Sequence, residues 1–155
     1  MDPWFRGTSS ILDDKVFLDS NVLVYAHDAS AGAKHEIAKA MVGDLWERRS
    51  GVLSSQVLQE WFVIVTGKIQ KPMGVSTARG IVEDLLSWEM VVNDGSSVLR
   101  AVDIHQRLGF SFWDSLILQA ALRGGASRLL TEDLKDGQKV DGLRIENPFL
   151  GLKKS

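Results

Sequence analysis

The sequence contains no cysteine, which excludes disulfides, thiolate zinc sites and cysteine nucleophiles together. It has no apolar run near the roughly 20 residues that cross a bilayer. Its first residues, MDPWFRGTSS, lack the apolar core of a signal peptide. No membrane association and a cytoplasmic location are therefore expected. An excess of one charge is missing as well: 18 Lys and Arg face 20 Asp and Glu, a formal net charge of −2, which by itself points to no nucleic-acid partner. The three histidines, His27, His35 and His105, show neither HExxH spacing nor a Ser-His-Asp arrangement and read as structural. Catalysis then falls to carboxylates, hydroxyls or bound ions.

What is present is close to an average globular mixture, with 45% hydrophobic and 25% charged residues among 155, so a single domain is expected. Short aliphatic runs alternate with segments of helical period. Val16-Phe17-Leu18 reads as a strand that ends at Asp19-Ser20-Asn21 and passes into a short helix over 22–26. Helices follow over 33–49, 56–68, 77–88, 97–108 and 112–123, with further strands at Val52-Leu53, Met90 to Val92, Arg128 to Leu130 and Leu143 to Ile145. Ser54 or Ser55 and Ser111 stand where helix caps belong. Strands separated by helices imply a parallel sheet. Residues 1–15 carry no such pattern and read as an N-terminal extension, 16–150 as the domain and 151–155 as a tail.

In an open parallel sheet, ligands bind beyond the carboxyl ends of the strands. Asp19 follows the first strand and Asp133 the fourth, Asp114 lies in the first turn of a helix, and Glu60 sits about one turn into the helix after strand two. On helical geometry Glu60 falls beside Ile64 and Asp114 beside Trp113 and Ile117, at the edges of apolar stripes, so both should be partly buried. Each acid alone has a plain structural explanation, as a turn former or as a partner of the helix dipole. Four acids at corresponding ends of one sheet favour a functional reading. Converging carboxylates raise one another's pKa or bind a cation, and oxygen-only ligation suits Mg²⁺ or Mn²⁺.

These residues resemble the PIN-domain ribonucleases, in particular the VapC-type toxins of toxin-antitoxin pairs. The resemblance rests on VFLDSNVLVYA around Asp19, SSQVLQEW around Glu60, FSFWDSLILQAA around Asp114 and LLTEDLKDG around Asp133, spanning Val16 to about Asn147. It implies a three-layer α/β/α domain with a mostly parallel central sheet, and a Mg²⁺- or Mn²⁺-dependent endoribonuclease whose metal and catalytic ligands are Asp19, Glu60, Asp114 and Asp133. Ser20, Asn21 and Thr131 match polar positions that help to orient those acids. Asp136 is an extra acid nearby. The resemblance further implies hydrolysis by water to a 5′-phosphate and a 3′-hydroxyl, an RNA substrate such as transfer or ribosomal RNA, a small antitoxin partner and a homodimer. A noncatalytic PIN-like module that binds metal and partner is the alternative.

Setting the four acids aside leaves sixteen acidic against eighteen basic residues. Arg48 with Arg49, Lys68 with Lys71 and Lys135 with Lys139 are then candidate phosphate contacts, and Arg107, Arg123 and Arg128 candidate antitoxin contacts. A phosphatase of the haloacid dehalogenase type would need Asp-x-Asp after strand one. Here Asp19-Ser20-Asn21 lacks the second acid.

Overall fold

A computed structural model describes residues 14–152. In chain order it contains β1 (Lys15–Leu18), α1 (Ser20–His27), a 3₁₀ turn (Ala29–Ala31), α2 (Ala33–Arg48), β2 (Gly51–Ser54), α3 (Ser55–Gly67), α4 (Val75–Leu85), β3 (Glu89–Val91), α5 (Gly95–Leu108), α6 (Phe112–Arg123), β4 (Ala126–Leu130), β5 (Lys139–Val140) and β6 (Leu143–Glu146). The strands form one sheet in the order β3-β2-β1-β4-β6-β5. All neighbours run parallel except β5 against β6. One group of helices packs α1 on α2 and α3 and α3 on α4, and another packs α5 on α6, giving the expected three-layer α/β/α arrangement.

Hydrophobic burial explains why the elements settle this way. β1 and β2 are flanked by strands on both edges and covered on both faces, so Val16, Phe17, Leu18, Val52 and Leu53 are all 0% exposed. Such strands read as unbroken apolar runs. α6 is buried continuously from Ser115 to Ala121, which makes it a core helix and not an amphipathic one. Ser54 caps α3 by accepting from the Val57 amide, and Ser111 caps α6 by accepting from the Asp114 amide.

Several boundaries differ from the sequence reading. The helix expected over 77–88 is α4, Val75–Leu85, and Trp88 instead packs its ring edge-on against Trp46. α5 starts before Ser97, because Asp94 is its cap and Ser97 closes a capping box with it. β5 was not expected. It pairs with β6 through Asp141-Gly142, both at positive φ (49° and 88°), the geometry of a tight hairpin turn. The extension expected over 1–15 falls largely outside the described residues, but Lys15 is the first residue of β1 and Asp14 pairs with Arg128 at 2.8 Å. Among the described residues no helix is long and apolar enough to cross a membrane.

The chain order places a reversal at the centre of the sheet. It moves outward from β1 through β2 to β3, then returns to lay β4 on the other side of β1. In open parallel sheets such a reversal is where ligands bind, beyond the carboxyl ends of the strands, here β1 and β4.

Candidate active site

Asp19 is the residue that leaves β1 and caps α1. Its backbone is extended (φ −73°, ψ 162°), and its Oδ1 accepts from the Ser20 amide at 2.7 Å. Across the reversal, its own amide donates to the Leu130 carbonyl at the end of β4. Asp19 is 6% exposed and Thr131 0%. The Thr131 hydroxyl donates to Asp19 Oδ2 at 2.8 Å and accepts from the Asp133 amide at 3.1 Å and from Asn21 Nδ2 at 3.2 Å. Asn21 Nδ2 also reaches Asp133 Oδ2 at 3.0 Å, while its Oδ1 accepts from the Glu132 amide at 3.3 Å. One hydroxyl and one carboxamide thus tie the end of β1 to the loop after β4.

Asp114, in the first turn of α6, is half-buried as expected. Glu60 sits higher than its helical position suggested: the residue is exposed, as is Asp133, although the Glu60 carboxyl itself is partly desolvated. The acids are graded in exposure, from buried Asp19 through half-buried Asp114 to exposed Glu60 and Asp133. Charge shows that they converge. Burial raises the Asp19 carboxyl above the ordinary carboxylate range, Thr131 and Ser20 oppose the rise, and Asp133 and Asp114 add to it. Glu60 is also raised, first by loss of solvation, then by Asp19, Asp133 and Asp114, against a hydrogen bond from Ser20.

None of the four acids makes an ion pair among the described residues. Nor does any group of three acidic or histidine side chains there form a ready-made cage for an ion. The donor set nonetheless fits a hard divalent cation. It is all oxygen, it carries unneutralised charge, and Mg²⁺ keeps several of its waters and needs no complete protein cage.

The remaining candidates lie elsewhere. Asp136 accepts from the Asn147 amide at 2.8 Å and ties down the turn before β5. His27 donates from Nδ1 toward the Leu23 carbonyl at 3.0 Å, rests edge-on to Trp61, and has its pKa lowered by burial. His35 and His105 likewise bond backbone carbonyls, those of Tyr25 and Phe110. Of the bases expected to contact an antitoxin, Arg107 pairs with Asp141 at 2.7 Å and Arg123 bonds Ser97 Oγ at 2.7 Å. Arg128, with its side chain 11% exposed, pairs with Asp14 and Glu146. Internal partners therefore account for all three. Arg48 pairs with Asp44 within α2, while Arg49, Lys68, Lys71, Lys135 and Lys139 are exposed. The sequence did not single out Tyr25 or Lys34, which both bind Glu132 beside the crevice.

A three-layer domain with an acidic crevice at the reversal of a parallel sheet defines the class. The sequence pattern of the PIN domain matches residues 16–142. The chain belongs to the PIN domain family. Similar solved structures include a toxin-antitoxin complex from Klebsiella pneumoniae, at 18% identity and TM-score 0.63, covering 86% of this chain and 98% of that one. The sarcin-ricin loop cleaving toxin VapC20 of Mycobacterium tuberculosis matches at 18% identity and TM-score 0.57, covering 74% and 87%. VapBC2 from Rickettsia felis, bound to a DNA fragment from its promoter, matches at 21% identity and TM-score 0.58, covering 85% and 97%. No curated protein matches the sequence.

Proposed function

We propose that the protein is a divalent-metal-dependent endoribonuclease and the toxin of a toxin-antitoxin pair. The observation that carries this reading is the buried Asp19 carboxylate, raised in pKa and facing the fields of Asp114 and Asp133. A buried acid without a cationic partner is costly, and sites that retain such acids are candidates for chemistry. Membership of the PIN family supports a nuclease. Two of the similar solved structures, described as a toxin-antitoxin complex and as a toxin, support the toxin role and an antitoxin partner, and the one that cleaves the sarcin-ricin loop supports RNA as substrate. We assign a homodimer on the family resemblance, and the cytoplasm on a sequence with no signal-peptide core and no membrane-spanning run.

Asp19, Glu60, Asp114 and Asp133 would hold Mg²⁺ or Mn²⁺. The ion, when bound, supplies charge neutralisation at the phosphate and a lowered pKa for water. The chain's own residues do the rest. Thr131 and Asn21 fix the carboxylates of Asp19 and Asp133. One of the site carboxylates would accept the proton of the attacking water. Attack by water at phosphorus breaks the P–O3′ bond and leaves a 5′-phosphate and a 3′-hydroxyl. Lys68, Lys71 and Lys135 are exposed and available to phosphates along the strand.

The test is end-mapped cleavage of total cellular RNA by the purified protein with Mg²⁺, with Mn²⁺ and with chelator, beside Asp19→Asn and Asp114→Asn. Discrete metal-dependent cuts that vanish in both variants are expected, with transfer or ribosomal RNA as the first places to look. Metal binding without cleavage of any RNA would replace this reading with a noncatalytic module.

A further inference from the structure

Glu132 lies between Thr131 and Asp133 in a loop with no regular secondary structure, yet it is held from every side. Its Oε1 accepts from the Tyr25 hydroxyl at 2.5 Å and its Oε2 from Lys34 Nζ at 2.8 Å. Its amide donates to Asn21 Oδ1. The clamp extends further: the Lys34 ammonium lies 5.0 Å from the centre of the Tyr25 ring and 5.6 Å from that of Phe149. Those two rings meet edge to face at 5.3 Å. Phe149 is 5% exposed, so the segment after β6 closes the cluster from behind. Two parts of the chain, α1 with Tyr25 and α2 with Lys34, thus converge on one loop side chain, and Phe149 of the C-terminal turn packs against both anchors.

Both carboxylate oxygens of Glu132 are already occupied by donors, so this acid is poorly placed to serve as a further metal ligand. Its neighbour Asp133 is the reverse case. Among the described residues, Asp133 is exposed, makes no ion pair, and has its carboxylate hydrogen-bonded by the Asn21 side chain. An exposed carboxylate on an irregular loop needs its backbone fixed if it is to meet an ion at a set place. Charge-assisted hydrogen bonds are the strong and directional kind, and Glu132 receives one from each of two helices.

We propose that Tyr25, Lys34 and Glu132 form a latch that positions Asp133 for cation binding. Glu132 is a positioning residue that acts through the chain neighbour it holds still, and the Tyr25 hydroxyl and Lys34 ammonium are its anchors. This inference rests on the reading that Asp133 is among the carboxylates that hold the ion.

The experiment is calorimetric titration of the full-length protein with Mn²⁺, comparing wild type, Tyr25→Phe, Glu132→Ala, Lys34→Met and Lys34→Arg, each also combined with Asp133→Asn. Thermal melts run alongside. Loss of an outer partner of a metal ligand typically weakens binding about 10- to 100-fold. Tyr25→Phe, which removes one hydroxyl and keeps the ring against Phe149, should raise the Mn²⁺ dissociation constant about tenfold. Glu132→Ala should raise it more, and Lys34→Arg should restore most of what Lys34→Met loses. In the Asp133→Asn background the same latch changes should have no further effect on binding. Lowered melting temperatures with unchanged Mn²⁺ affinity would reduce the cluster to a purely structural role and overturn the proposal. So would losses of affinity that persist undiminished when Asp133 is already Asn. If wild type binds no Mn²⁺, the nuclease reading fails and the latch fails with it, whereas intact binding that ignores the latch defeats the latch alone.

Discussion

Thr131 and Asp19 stand 112 residues apart in the chain, and the hydroxyl of the first donates to Oδ2 of the second at 2.8 Å in a fully buried setting. The same oxygen accepts from the Asp133 amide and from Asn21, so all its hydrogen-bonding capacity is used inside the crevice. Thr131→Val keeps the shape and removes this junction. A buried carboxylate oxygen then loses its donor, which costs about 1–3 kcal/mol. Urea denaturation should show that loss for Thr131→Val and little of it for Thr131→Ser. Equal stability of the valine variant and wild type would mean that the bond contributes nothing to folding.

Burial lifts the Asp19 carboxyl above the ordinary value near 3.9, so the native chain holds this proton to higher pH than the unfolded chain does. The sign follows from linkage. Below the unfolded value the group is neutral in both states and has no effect. As pH rises through the native pKa the ionised native form becomes the costlier one, and metal-free stability falls and stays lowered above it. Glu60 acts in the same direction. Asp19→Asn should therefore melt higher than wild type near neutral pH without metal, and this gain should vanish below about pH 3.9. Mn²⁺ reverses the order, because a ligand at 100 times its dissociation constant stabilises by about 2.7 kcal/mol and the variant lacks a ligand. Metal affinity should weaken as pH falls through the raised carboxyl pKa values, where protons compete. Scanning fluorimetry across this range with and without Mn²⁺ measures all three. A metal-free Asp19→Asn protein less stable than wild type at neutral pH would contradict the desolvation argument.

Much of this was legible from the residues, and what was not has physical reasons. Asp19, Asp114 and Asp133 could be placed because each sits at a punctuation mark, the end of an aliphatic run or the start of a helix, where sequence position and spatial position coincide. The depth of Glu60 was hidden, since a helical wheel fixes direction around an axis and not distance from the surface. β5 was hidden by its length of two residues, although Asp141-Gly142 is the dipeptide that marks a tight hairpin. The engagement of Glu132 by Lys34 and Tyr25 joins residues 98 and 107 apart, a separation at which no local pattern reports. Ion pairing also lies beyond periodicity. Arg128, a candidate antitoxin contact on sequence, pairs with Asp14 and Glu146.

Asn21 offers the sharpest separation of binding from folding. Its carboxamide bridges the Asp133 carboxylate, the Thr131 hydroxyl and the Glu132 amide, yet the side chain is only half-buried. Asn21→Ala should leave the melting temperature within a few degrees of wild type while weakening metal affinity or metal-dependent cleavage about 10- to 100-fold. Asn21→Asp should be worse than alanine at low metal, because it places a further negative charge beside Asp133 and removes both amide donors. Retained cleavage in both variants would show that the acids orient themselves.

Gly51 at the start of β2 holds a purely structural constraint that reaches the sheet edge. The Trp88 ring lies flush against this residue, and a Cβ there would overlap the six-membered part of the indole. Trp88 cannot retreat freely, since it is 9% exposed and its ring is held edge-on by Trp46 at 5.5 Å. Adding a methyl group to such a contact forces either the indole off its rotamer or β2 away from its neighbour, a cost of about 1–3 kcal/mol. β3 is three residues long and pairs with β2 through Val52, Leu53 and Ser54, so it is the element most exposed to that shift. Gly51→Ala should lower stability by that amount and move the tryptophan emission toward the red as Trp88 meets water. The acid crevice lies at the far end of the strands, so Mn²⁺ affinity should hold. A methyl tolerated without loss of stability would mean that Trp88 has room to move which this packing does not show.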